Sequence, residues 1–364
     1  MVTEGTTKTL PDIAVPPGEL LQETLDALNM TQVELASRIG RPTTVVNEII
    51  KGKKAITPAT ALQLEHVLGT PAHIWNGLEG DYQLIKARLE EDARLKRQVP
   101  ILDRYPFYSA MVKAGWVQRR TSRVGKVREL LRFFGVASLD EVSRQYAPAF
   151  RKSRGREASP EALAAWMRRG ELLAREVETR EFNPSALREH LQEFRALTCE
   201  PPETFEPAIR ERCADCGVAW VVVPHLPGTY VNGATWWDGE KFVVEMSLRF
   251  KWNDIFWFTF FHELGHILLH RKREVFIDTD STRRDGASER EADSFAARLL
   301  IDPKAYGAFV SRGRFTWRSV RDFADEVGVH PGIVVGRLQH DEHIRPNQLN
   351  GLRAKFELQE APTA

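Results

Sequence analysis

The chain has 364 residues, 42% of them hydrophobic and 28% charged, and a formal net charge of +1. That composition excludes an intrinsically disordered chain, and the length is more than one ordinary core needs, so two or three domains are expected. Three cysteines exclude a disulfide framework and fit a reducing compartment; the CxxC pair Cys213 and Cys216 reads as two buried structural thiols. The N-terminus shows no signal peptide, and the most apolar stretch, Ile255–Phe261, is too short to span a bilayer. A cytoplasmic protein with no membrane partner is expected. Charge is unevenly spread. Residues 1–80 carry 6 basic and 9 acidic side chains, whereas residues 81–180 carry 22 and 13, which reads as a solvated, basic helical surface.

From about residue 18 to 90 the pattern is one of short helices and tight turns. Thr31-Gln32-Val33-Glu34 reads as a capping box opening a helix with Val33, Leu35, Ala36 and Ile39 inward. Gly40-Arg41 makes a turn, and Pro42 suits the first position of a second helix that carries Val45, Val46, Ile49 and Ile50 inward. Thr43, Thr44 and Asn47 then face outward, where Asn is suited to adenine edges, and Lys51, Lys53 and Lys54 follow at the helix end, placed for phosphates. This is a helix-turn-helix pattern, with Gln32, Thr43, Thr44, Asn47, Lys51 and Lys53 as its DNA-contacting residues. The stretch to about Tyr82 resembles the HigA-like antitoxin branch of the XRE family, which implies a palindromic DNA operator and a cognate toxin as partners. Glu48 and the local acidic balance depart from a strongly basic reader, so tight binding calls for a homodimer.

Val99-Pro100 and Tyr105-Pro106 mark a linker, after which residues 107–198 look helical, with a basic loop at Arg151–Arg156. Cys199–Pro207 (CEPPETFEP) is a second break. The signal then turns to strands: Val218–Val223, Thr229–Trp237 and Lys241–Met246, the last two joined through Asp238-Gly239, which suits a type I′ hairpin turn and would offer an edge for an extended peptide. Two helices follow. One is capped near Asn253 or Asp254 and ends in Arg271-Lys272-Arg273; the other begins at Ser288.

The first of these helices holds HELGH, residues 262–266. On a helix His262 and His266 lie one turn and about 40° apart, so both imidazoles can reach one ion. Glu263 stands beside them as general base. Zinc, the expected cofactor, would act as a Lewis acid and lower the pKa of a bound water towards about 7. Alone, the pentapeptide is only moderately specific. The second helix decides the reading. Its apolar stripe is Ala292, Phe295, Ala296, Leu299 and Leu300. Glu289 lies about 60° from the stripe's centre and Glu291 about 100° away on the other side, which puts Glu289 ahead of Glu291 as third ligand. Glu291 has another task available, an S-x-x-E capping box with Ser288. Asp293 shares the face of Glu289 and can orient a ligand histidine. His270, about 12 Å along the axis from His262, is too far to share the ion.

HELGHILLH followed by EREADSFAARLLIDP, behind the strands of Gly217–Ser247, resembles the ImmA/IrrE family of zinc endopeptidases over roughly residues 205–305. The resemblance implies a thermolysin-like gluzincin core, with Glu289 at the distal ligand position, Glu263 as base, and a helix-turn-helix repressor as protein substrate. Val320–Gln339 reads as a helical cap on the peptidase. The expected chain is therefore multi-domain and mainly α. It comprises a helix-turn-helix domain (1–82), a helical basic connector (83–200), a small α+β peptidase domain (201–350) and a tail (351–364). The expected activity is that of a DNA-binding regulatory protease. The rival is a repressor or antitoxin whose peptidase-like domain senses without cutting, a role that would not need Glu263.

Overall fold

Among the described residues of the N-terminal unit five helices follow one another: α1 (Pro17–Ala27), α2 (Gln32–Arg38), α3 (Thr43–Ile50), α4 (Pro58–Leu68) and α5 (Ala72–Gln98). In this computed structural model the described residues are 14–147, 159–247, 249, 251–270, 275–279 and 286–356. The basic loop expected at Arg151–Arg156, the run Arg271–Arg273 and the end of the tail lie outside them. The chain divides into two compact units, Met1–Val99 and Pro100–Ala364. That break falls at the Val99-Pro100 signal, whereas Tyr82 lies inside α5.

In the first unit Leu21, Leu25, Leu35, Ala36, Ile39, Val46, Ile49, Leu64 and Trp75 form one core. Gly18 lets α1 lie against the end of α3, since a Cβ there would come 2.2 Å from the carbonyl oxygen of Ile49. The Glu79 carboxylate accepts from the buried backbone N–H of Ile56 at 2.9 Å and ties α5 to the loop between α3 and α4. Three local expectations are corrected. Val33 is 64% exposed, because on α2 it projects well away from the inward arc of Leu35, Ala36 and Ile39. Only half of the capping box forms: Thr31 accepts from the Glu34 N–H at 3.1 Å, while the Glu34 carboxylate pairs with Arg38 at 2.6 Å. Pro42 is the extended N-cap of α3 rather than its first residue.

The second unit opens with a 3₁₀ turn (Val99–Arg104) and helices α6 (Tyr108–Lys113), α7 (Arg123–Phe134), α8 (Asp140–Gln145), α9 (Pro160–Glu176), α10 (Pro184–Ala196) and α11 (Pro202–Asp215). Much of the basic block is neutralised locally, as in Arg120–Glu129, Arg144–Glu141 and Arg168–Glu171. The break expected over Cys199–Pro207 shrinks to Glu200-Pro201, because α11 starts at Pro202 and carries Pro207 inside it. Pro202 suits a first turn, whereas Pro207 removes a helical hydrogen bond and crowds the carbonyl of Glu203 one turn earlier.

Strands β1 (Val218–Val223), β2 (Val231–Trp237), β3 (Phe242–Ser247) and β4 (Phe276–Thr279) form a sheet in the order β1-β3-β2-β4. β1 runs parallel to β3, and the other pairs are antiparallel. The hairpin turns one residue later than expected: Asp238 pairs with Lys241, Gly239 takes the corner at φ 109°, and the Asp238 carboxylate accepts from the N–H groups of Glu240 and Lys241. A type I′ turn needs positive φ at both corners, and Glu240 does not adopt it. Both hairpin strands are interior, so the hairpin offers no free edge. Among the described strands the edges are β1 and β4.

Helix α12 (Asn253–Leu269) packs on one face of the sheet, where Trp257, Phe260, Phe261 and Leu264 meet Val222, Val244 and Met246. A helix this apolar all round must be buried, and its charged groups survive there only with partners. α9 covers the other face, with Trp166 donating its indole N–H to the Val223 carbonyl at 3.3 Å. There Glu245 of β3 is wholly buried against Gly170, and neither carboxylate oxygen has a partner among the described residues. Burial, reinforced by Glu171, pushes its pKa well above the carboxylate range. Cys213 and Cys216 are buried in the core, as expected of structural thiols.

Helix α13 (Ala287–Leu300) crosses α12 and is followed by α14 (Pro303–Ser311), α15 (Trp317–Val327) and α16 (Pro331–His340). Val320, Phe323, Ala324, Ile333, Val335 and Leu338 enter the same core as α12. Asn253 and Asp254 are not caps. Both are buried in the first turn of α12, where Asn253 accepts from the Ala354 N–H and donates to His330, and Asp254 pairs with Arg353 at 2.8 Å. They fasten the start of α12 to the C-terminal segment. Ser288 likewise lies inside α13, whose N-cap is Gly286, and no capping box with Glu291 is formed.

Candidate metal centre and nucleic-acid interface

The HELGH spacing sets His262 and His266 on one face of α12, and the fold brings Glu289 to them from α13. His262 Nε2 lies 3.0 Å from His266 Nε2, and Glu289 Oε2 lies 3.2 Å from the first and 3.6 Å from the second. Bonds of 2.0–2.1 Å in a tetrahedral site place donor atoms about 3.3 Å apart, so the three atoms stand at the edges of such a tetrahedron. The donor chemistry also fits. His262 Nδ1 is 2.9 Å from Asp293 Oδ1, which puts the ring proton on Nδ1 and leaves Nε2 its lone pair. Burial lowers the pKa of His266 to about 4 and keeps it neutral. Burial would raise the Glu289 carboxyl, but its hydrogen bonds with His262 and His266 outweigh that and hold it below the usual range. Two neutral imidazoles and a carboxylate make a zinc-type donor set.

Two features that position these ligands escaped the sequence reading. Gly265, the fourth residue of HELGH, allows α13 to approach: a Cβ there would come 3.3 Å from Ala292 Cα and 3.1 Å from the Phe295 ring. Phe276 of β4 stacks on the His266 ring, with centroids 4.0 Å apart and planes 14° apart. The signal for β4 was the short run Val275-Phe276-Ile277, too brief to read beside a long helix.

Glu263 is buried and turned towards β2, where its Oε2 accepts from the Thr235 hydroxyl at 2.6 Å. Burial raises its pKa to about 8, although His262 pulls the other way. Glu291 is mostly exposed and lies 3.8 Å from His270 rather than at the centre. His270 donates through Nε2 to the Ser288 carbonyl at 3.1 Å and joins the end of α12 to the start of α13. A cavity of about 820 Å³ has Asp293, the partner of His262, in its wall, together with Phe258, Thr259, Ala297, Ile333 and Arg337.

In the first unit Thr43, Thr44, Lys51, Lys53 and Lys54 are exposed, and Gln32 and Asn47 are half-buried. Asn47 donates to Gln32 at 3.2 Å, and Gln32 donates to Gln22 of α1 at 2.8 Å. This relay holds the Asn47 amide over the outer face of α3. Gln22 was not singled out in the sequence because nothing local links it to α3.

Two kinds of domain are thus joined in one chain, and comparison with known proteins gives the same pair. Residues 21–75 match the helix-turn-helix family model and residues 255–339 the IrrE N-terminal-like domain of a metallopeptidase family. The second match begins downstream of the first three strands and takes in α15 and α16. Over 84 residues the chain is 33% identical to the uncharacterized HTH-type transcriptional regulator YddM of Escherichia coli, covering 23% of this chain and 89% of that protein. The chain belongs to this family of HTH-type regulators and carries an IrrE-like peptidase domain behind the DNA-binding one. A HigA-family addiction module antidote protein from Coxiella burnetii shares 31% identity over 23% of this chain and 94% of its own, at a TM-score of 0.22. The antitoxin HigA of Pseudomonas aeruginosa with the higBA promoter shares 24% over 24% and 95%, also at 0.22. No helix among the described residues is long and apolar enough to cross a membrane.

Proposed function

We propose that the chain is a DNA-binding regulatory zinc endopeptidase that cuts another helix-turn-helix regulator. The observation that carries this reading is the convergence of His262, His266 and Glu289 on one point beside the buried Glu263. When bound, zinc supplies the Lewis acid that polarises the scissile carbonyl and lowers the pKa of a water. Glu263 is placed to take a proton from the attacking water and to give it to the leaving amine. Asp293 holds His262 in the tautomer that offers Nε2. The edge strand β4 supplies main-chain groups for an extended segment, and the cavity walled by Asp293 takes its side chains. The substrate is therefore a linker or loop rather than a folded core. At the other end, residues 1–82 read a palindromic operator as a homodimer, through Gln32, Thr43, Thr44 and Asn47 on base edges and Lys51 and Lys53 on phosphates.

The test incubates the zinc-loaded protein and its Glu263→Gln variant with operator DNA and helix-turn-helix regulators. We expect slow, selective cleavage by the wild type and a rate lower by about 10²–10⁴-fold in the variant. Identical fragments from both proteins, or none from either, would replace this reading with that of a sensor-repressor or antitoxin.

A further inference from the structure

A carboxylate on a buried helix does not hold one orientation by itself. The last torsion of a glutamate joins an sp³ to an sp² carbon and is broad, so packing of the α12 backbone does not set it. The partner comes from the sheet. Thr235 of β2 is 1% exposed and lies opposite Val244 of β3 and Phe276 of β4, so strand pairing on both sides determines where its hydroxyl stands. That hydroxyl has a single proton and gives it to Glu263 Oε2 at 2.6 Å. The other oxygen, Oε1, is buried and makes no hydrogen bond among the described residues. It lies over Gly233, two residues earlier on the same face of β2, where a Cβ would come 2.6 Å from Oε1 and 2.8 Å from the Thr259 methyl carbon.

We infer that Thr235 and Gly233 are positioning residues for the general base. Thr235 occupies Oε2 and fixes the carboxylate plane, and the bare backbone at Gly233 leaves Oε1 free as the oxygen that accepts the proton. The strand therefore distinguishes two chemically equivalent oxygens. This assignment rests on the peptidase reading of Glu263, and it concerns side chains from a part of the chain that no metal motif includes.

The test uses the full-length zinc-loaded protein and acetohydroxamate, whose hydroxyl proton needs a base beside the metal and whose binding is measured by calorimetry whether or not a substrate is in hand. Thr235→Val, which keeps the shape and removes the hydroxyl, should retain the zinc of the wild type. It should also bind acetohydroxamate about tenfold more weakly, as expected for loss of a hydrogen bond to a charged group. Cleavage should show the same loss in kcat with KM unchanged. Thr235→Ser should restore both to within about twofold of wild type, and Gly233→Ala should fall towards Glu263→Gln. In a Glu263→Gln background Thr235→Val should change nothing further, because the base that the hydroxyl orients is already gone. If Glu263→Gln loses affinity and Thr235→Val does not, the positioning role is overturned and the peptidase reading stands. A Thr235→Val loss that serine fails to rescue, or that persists without Glu263, reduces Thr235 to a packing residue. A chain that takes up no zinc, or whose Glu263→Gln variant binds and cleaves like the wild type, removes the peptidase reading and this inference with it.

Discussion

Asn47 on α3 and Glu263 on α12 each keep one hydrogen bond to a neighbouring side chain, yet their surroundings are opposite. Asn47 is half-exposed and tethered through Gln32 to Gln22, so it is held on an outer face that is complete only when something binds there. Glu263 is wholly buried, as are His262 and His266, and the groups that orient this cluster come from three other elements. A surface reader can be assembled from one helix and its tether, because water satisfies whatever the partner does not. A buried centre must satisfy its polar groups internally, so it requires the whole domain.

The contrast would break first at the metal. Glu289→Gln should lose most of the zinc, more than the about 10–100-fold fall in affinity expected when Asp293→Asn removes an outer partner. Glu291→Gln should bind zinc like the wild type, since that residue stands at the exposed side near His270. Metal content after dialysis measures all three, and a reversed order for Glu289 and Glu291 would reassign the third ligand.

On the DNA side the effects should be smaller and separable. Asn47→Ala should cost about 1–3 kcal/mol at its base position and relax preference there. Lys53→Ala should weaken binding to every sequence and reduce the salt slope by about one. Fluorescence anisotropy on an operator and a scrambled duplex, at two salt concentrations, distinguishes these outcomes from a domain that binds no DNA.

The last effect concerns stability in the second unit. Glu245 is buried without a hydrogen-bond partner among the described residues and its pKa is raised in the folded chain, so folding favours its protonated form. Its contribution is fully present below the unfolded carboxylate range, near pH 4.3, and is lost as pH rises through the folded value. Urea unfolding at pH 5 and pH 8 should show a stability loss on the order of 1–3 kcal/mol that Glu245→Gln abolishes. An unchanged slope in the variant would mean that the acid is not the group that titrates.

What the sequence determined by itself is local and periodic. The turn between α2 and α3, the one-turn spacing of His262 and His266, and the inward lean of Glu289 all follow from 100° per residue and a few capping preferences. So does the break at Val99-Pro100. Residues whose roles are set by distant partners do not follow these local rules. Asn253 and Asp254 looked like caps but bind His330, Ala354 and Arg353, about 77 to 101 positions away in the chain. Ser288 looked like a cap because an S-x-x-E box satisfies local rules, and the helix instead begins a residue earlier after Gly286. The edge strand β4, the stacking of Phe276, the clearance at Gly265 and the hydroxyl of Thr235 were decided only by tertiary structure. Each acts across an interface between elements, where a side chain's neighbour is set by sheet order and helix crossing, and no spacing along the chain encodes that.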